Sequence, residues 1–162
     1  MKKLTTLIII IISTTLFAQE IDIKNSFSQT ETNRIKHFNL EKGTAISGYD
    51  PVAYFTDNKA KKGKDEYSTI YKGVVYKFDS QINKNLFLKT PEKYEPKYGG
   101  WCAYAMGENA KKVEINPDTF KIINGELYLF YNAYFNNTLK KWNKDQDLLK
   151  KKSDENWLKL YN

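Results

Sequence analysis

The dipeptide Asn124-Gly125 stands between two apolar runs, Phe120-Lys121-Ile122-Ile123 and Leu127-Tyr128-Leu129-Phe130-Tyr131. A two-residue turn needs left-handed backbone at both positions, which Asn and Gly tolerate best, so this spacing commits the runs to an antiparallel hairpin. Lys72-Gly73 predicts a second hairpin, between Tyr67-Ser68-Thr69-Ile70-Tyr71 and Val74-Val75-Tyr76-Lys77-Phe78. The Gly48-Tyr49-Asp50-Pro51 turn is expected to lead into a further β run, Val52 to Phe55.

Helical patterns lie among these strands. Ser80 can cap a helix whose apolar positions are Ile82, Leu86 and Phe87, with Pro91 ending it. Trp101 to Met106 predicts a short helix closed by Gly107. The tail is expected to be helical over Ala133–Trp142 and Gln146–Lys152, with a last helix opening at Ser153-Asp154-Glu155 and carrying Trp157, Leu158 and Leu160. No repeated βαβ unit is present, so the expected class is α+β: one compact domain over residues 45–162, with antiparallel hairpins, short helices and a helical C-terminal tail.

The N-terminus has a different character. Lys2 and Lys3 precede an apolar run from Leu4 to Phe17 that ends at Ala18-Gln19. A basic start, a short apolar stretch and a small residue at the cut predict a signal peptide over residues 1–18, and hence a periplasmic or secreted protein with no stable membrane insertion after cleavage. Residues 19–44 are expected to be a polar lead-in, with order beginning near Ile35. Losing the two leader lysines lowers the formal charge from +7 to +5. The remaining lysines are scattered rather than striped with stacking aromatics, so no nucleic-acid partner is expected; an envelope protein or a small ligand is.

Counts of chemistry-bearing residues exclude more. The chain has one Cys and one His, which removes internal disulfides, Cys-x-x-Cys redox pairs and multi-histidine metal centres. Phosphate-binding glycine loops, the His-Glu-x-x-His pattern and the Gly-x-Ser-x-Gly elbow are all absent. The residues therefore spell no reaction.

One place holds the remaining chemistry. Cys102 follows Gly99-Gly100-Trp101, and in the first turn of a helix its thiolate would be stabilised by free N–H groups. The glycines would let a ligand approach the backbone closely. Met106, four residues on, would add a thioether on the same face, a pair suited to a soft metal such as copper. His37 would join only if the lead-in folds back. Tyr49, Tyr98, Trp101 and Tyr104 are candidate lining of a ligand pocket. Against each stands a bland alternative, since Cys and Met are common core residues and aromatics on strands usually pack.

Three stretches carry a family resemblance. Gly48-Tyr49-Asp50-Pro51-Val52-Ala53-Tyr54-Phe55, then Tyr76-x-Phe78-x-Ser80-x-x-Asn83 leading to Pro91-x-x-Tyr94, then Tyr98-Gly99-Gly100-x-Cys102-Ala103-Tyr104-Ala105, resemble exported YHS-domain proteins, and the likeness runs from about Ala45 to Leu158. The resemblance implies a treble-clef-like core. In similar exported members the position of Cys102 can hold selenocysteine, which implies a working sulfur, as a soft-metal (copper) or thiol-redox module centred on Cys102. Metal-binding YHS modules place cysteines after the Asp-Pro-Val turn and around the Tyr-x-Phe-x-Ser segment. This chain has Ala53, Asp79 and Asn83 there. The alternative is thus a non-catalytic envelope interaction domain that has lost the family's metal site.

Overall fold

Hairpins organise the molecule. The structure, a computed structural model, describes residues 29–161. The expected leader and the first part of the lead-in lie outside the described residues.

Helix α1 spans residues 29–37. It is followed by β1 (Leu40–Glu41), β2 (Thr44–Ala45), α2 (Ala53–Thr56), β3 (Lys64–Tyr71), β4 (Val74–Phe78), α3 (Gln81–Lys89), α4 (Pro91–Tyr94) and α5 (Ala103–Asn109). Then come β5 (Asn116–Ile123), β6 (Glu126–Phe130), β7 (Asn132–Ala133), β8 (Asn136–Asn137), α6 (Thr138–Trp142) and α7 (Gln146–Tyr161). The main sheet has the order β1-β2-β4-β3, antiparallel except where β2 meets β4. The pairs β5-β6 and β7-β8 form two small antiparallel sheets. The class is mixed α and β in one compact fold, as expected.

Strand β6 joins two cores. Leu127 and Leu129 point into a cluster with Val52, Tyr54, Val74, Tyr76, Phe78 and Phe87, whereas Tyr128 and Phe130 point into another with Tyr98, Met106, Trp142 and Leu149. Successive side chains on a strand face opposite sides, so an unbroken apolar run has both faces buried. All four residues are fully buried.

Several expectations need correction. Val52–Phe55 leads into the helical turn α2 rather than a strand, because Asp50 Oδ1 accepts from the N–H groups of Val52 (2.8 Å) and Ala53 (3.3 Å) and so caps a helix start. Order begins before Ile35: residues 29–33 are helical and Arg34 is buried. Ser80 caps α3 through Asn83 N–H at 3.2 Å, as read, but Ile82 is 71% exposed and the buried positions are Asn83 and Phe87.

Gly107 does not close α5, which runs on to Asn109 and ends at left-handed Ala110. A Cβ on Gly107 would sit 2.5 Å from the Leu149 carbonyl oxygen and 2.6 Å from Ser153 Oγ, so the glycine is there to let α5 and α7 touch. Ser153 does not start a helix. It is buried in the middle of α7, with its hydroxyl on the carbonyls of Ala103 (3.0 Å) and Leu149 (2.7 Å). Residues 133–137, expected to open a helix, belong to the hairpin β7-β8, and the helix α6 begins only at Thr138.

Candidate functional site

Cys102 is the N-cap of α5 rather than a residue of its first turn. Its backbone N–H donates to Val113 O at 3.0 Å, which fixes the residue against the segment leaving the helix. The sulfur is fully buried. Tyr131 N–H donates to it at 3.3 Å, and Thr138 Oγ1 lies 3.4 Å away. Met106 is likewise fully buried, in the second core cluster.

The lead-in does fold back. Trp101 Nε1 donates to His37 O at 2.7 Å, and the His37 ring meets Lys112 Nζ at 3.3 Å and the Tyr161 ring at 5.9 Å. His37 is therefore held among cations and aromatics near the C-terminal helix. Partial burial together with Lys112 and Lys36 keeps its imidazole below the ordinary 6.5. Among the described residues no three of His, Cys, Asp and Glu cluster as metal ligands would.

The double glycine serves the chain itself. Tyr98, Gly99 and Gly100 all have left-handed φ, of 55°, 59° and 85°. A Cβ on Gly99 would lie 2.7 Å from Phe38 Cδ1, and Asn39 N–H donates to Gly99 O at 2.8 Å. What approaches this backbone is the segment after α1.

The four candidate pocket aromatics do not line one pocket: Tyr98, Trp101 and Tyr104 share the second core cluster, and Tyr49 packs against the first. Tyr49 lies under Lys62 Nζ, 4.7 Å from its centroid, Trp101 bonds His37 O, and Tyr104 lies under Lys141 Nζ at 5.8 Å. Tyr98 lines a cavity of about 430 Å³ with Phe38, Glu95, Asp154, Trp157 and Tyr161, its hydroxyl donating to Asp154 Oδ1 at 3.0 Å. A second, more polar cleft of about 580 Å³ is lined by Lys42, Lys62, Lys64 and Lys77 with Glu41 and Asp65. Tyr49, Trp101 and Tyr104 line neither of these two.

A polar cluster, read in the sequence only as separate turn and cap residues, is brought together by the fold. Asp50 is fully buried. Besides its two bonds to the start of α2, its Oδ2 accepts from Asp79 N–H at 2.9 Å and Asn83 Nδ2 at 2.7 Å. Asn83 Nδ2 also donates to Asp79 Oδ1 at 3.0 Å, and Lys61 Nζ lies 3.2 Å from Asp79 Oδ2. Burial pushes the Asp50 carboxyl up, and the donors from Asn83, Asp79 and Val52 pull it back. Asp79, though also partly desolvated, is held below its ordinary value by hydrogen bonds and by Lys61. A carboxylate has about four lone-pair directions, and each here has a donor. The signal that could have found this cluster was present: Asp before Pro-Val, with Asp79 and Asn83 one helical turn apart.

No curated protein and no solved structure matches the chain. The comparison that succeeds covers the stretch from α2 to the double-glycine turn, contains Asp79 and Asn83, and stops short of Cys102: a YHS domain is found at residues 52–98.

Proposed function

We propose that the protein is an exported, non-catalytic interaction module on a treble-clef-like YHS frame, with a hydrogen-bonded carboxylate–amide staple standing where metal-binding YHS modules hold cysteines. The observation that carries this reading is the saturation of Asp50. All of its acceptor capacity is spent on Val52, Ala53, Asp79 and Asn83, so it has none left for a metal ion. A metal joins distant segments by coordination, and here hydrogen bonds join the same turn and helix. The expected partner is an envelope component that meets the lysine-rich C-terminal helices between Leu139 and Lys159.

Native mass spectrometry and thermal melting, with and without Zn²⁺ or Cu(I), test the reading. No stoichiometric metal adduct and no rise in melting temperature are expected, because a ligand that binds only the native state must stabilise it. A tight one-to-one adduct that raises the melting temperature would sink it.

A second reading keeps Cys102 as a working thiol, with Met106 as a soft co-ligand for copper. It is favoured by the polar contacts of the buried sulfur, which accepts from Tyr131 N–H at 3.3 Å and lies 3.4 Å from Thr138 Oγ1. Full burial means that such a thiol would act through local opening of the fold. Reaction of the native protein with a thiol reagent, faster than global unfolding, is the result this reading requires.

A further inference from the structure

Among the described residues four hairpins close through two-residue turns in which both φ angles are positive. Three use Lys42-Gly43, Lys72-Gly73 and Asn124-Gly125, with glycine in the second place each time. The fourth, between β7 and β8, uses Tyr134-Phe135, with φ of 49° and 63°. Left-handed backbone is unfavourable for bulky side chains, because Cβ crowds the following carbonyl. No packing offsets that strain, since Tyr134 is 92% exposed and Phe135 fully so.

The hairpin under this tip is well held. Thr138 N–H and Oγ1 both donate to Tyr131 O, at 3.0 and 2.8 Å. Asn116 Nδ2 donates to Asn132 O at 3.3 Å, and Asn132 Nδ2 donates to Thr119 Oγ1 at 3.0 Å. Two strained aromatics thus project from a braced base. The stretch of chain that carries them has one sign: no Asp or Glu occurs from Leu127 to Lys144, while Lys140, Lys141 and Lys144 are exposed and meet no carboxylate among the described residues. The exposed acid beside the base is Asp118, on the bracing strand β5 between Asn116 and Thr119.

We infer that the Tyr134-Phe135 tip is a wedge that docks the protein peripherally on an anionic phospholipid surface. The aromatic rings enter the headgroup boundary, where amphipathic and aromatic side chains partition well, and the three lysines of the following segment face the lipid phosphates. A protein partner fits less well, because a stable interface takes about 800 Å² from each side and a two-residue finger presents far less. Docking of this kind needs no spanning segment, in keeping with the lack of any helix long and apolar enough to cross a membrane among the described residues. The inference names the partner of the interaction module proposed above, and rests on that reading.

The test is sedimentation of the protein with vesicles of phosphatidylcholine alone or mixed with phosphatidylglycerol. The full chain is compared with the double variant Tyr134→Asn, Phe135→Gly. Asn-Gly is the pair this turn geometry favours, so the variant should melt no lower than the wild type. The expected result is salt-sensitive binding of the wild type to the anionic vesicles and a loss of about tenfold or more in the variant. Wild type that ignores anionic vesicles, binds neutral ones equally, or is matched by the variant overturns the inference. So does loss in the variant of a protein contact with vesicle binding unchanged, which would give the tip to a protein partner. A metal adduct in the earlier experiment would instead sink the interaction reading and leave the vesicle result standing, so the two failures are separable.

Discussion

Asn83 donates its side-chain amide to Asp50 Oδ2 across 2.7 Å, tying the turn before α2 to the first turn of α3. The same amide reaches Asp79 Oδ1 at 3.0 Å, so one nitrogen serves two carboxylates of different burial. Replacing Asn83 by Ala leaves a buried lone pair without a donor. The expected cost is about 1.5–3 kcal/mol, the range for hydrogen bonds to charged groups, read from urea unfolding. Asp50→Asn should cost at least as much, because one end of the new amide would present N–H groups to the backbone donors. A double-mutant cycle should return coupling of about 1 kcal/mol or more between the two sites; additivity would show that the staple is not a unit.

Arg34 anchors α1. Its guanidinium pairs with Glu95, donates to Tyr76 Oη at 3.3 Å and to Lys72 O at 3.1 Å, and stacks 4.5 Å from the Phe38 centroid. Burial alone would lower its pKa, but Glu95 more than compensates and keeps the charge in place. Arg34→Met strands the Glu95 carboxylate and should cost about 3–5 kcal/mol. Adding Glu95→Gln should recover part of that loss. Hydrogen exchange over residues 29–37 should accelerate in the single variant, and unchanged protection there would refute the anchoring role.

Gly107→Ala pits helix propensity against packing. Alanine gains about 1 kcal/mol in an exposed helix. Here its methyl group would meet α7 backbone at 2.5 Å. Overpacking of this kind costs about 1–3 kcal/mol, so a net loss of stability is expected on denaturation. A stabilised variant would mean that α5 and α7 separate easily.

His37 is the chain's lone imidazole, so its proton resonances report one site. Its folded pKa lies below 6.5 through burial, Lys112 and Lys36. The unfolded chain then binds the proton more readily, so this group's contribution to stability is present above pH 6.5 and is lost as pH falls from there through the folded value. Because the ring is only partly buried, the effect on stability is small and the resonance is the better readout. In an NMR titration Lys112→Met should move the midpoint up toward 6.5 without passing it. A midpoint above 6.5 in the wild type would contradict the geometry.

The local devices were legible. Asn124-Gly125, Lys72-Gly73 and the Ser80 cap act through backbone preferences within a few residues, and they appear where the sequence places them. The turn Lys42-Gly43 follows the same rule but has flanking strands of only two residues each, too short for a periodic signal. Tyr134-Phe135 was not legible as a turn, because its residues oppose the conformation they adopt. Three positions with candidate chemistry, Cys102, Met106 and His37, were visible as residue types. Their surroundings were not, since burial and distance come from segments far along the chain.

What the sequence determined by itself is therefore a set of short-range facts: mixed α and β content, the main hairpins, one thiol and one imidazole, and a stretch matching the YHS domain. Tertiary structure decided what those residues do. It closed Asp50, Asp79 and Asn83 into one saturated cluster, enclosed Cys102 beneath the β7-β8 hairpin, turned Gly107 from a helix stop into a helix contact, and left two aromatics standing in solvent. The physical reason is range. Turn and cap preferences act through a residue's own backbone, whereas desolvation, hydrogen-bond saturation and steric contact depend on which distant atoms the fold brings within a few ångströms.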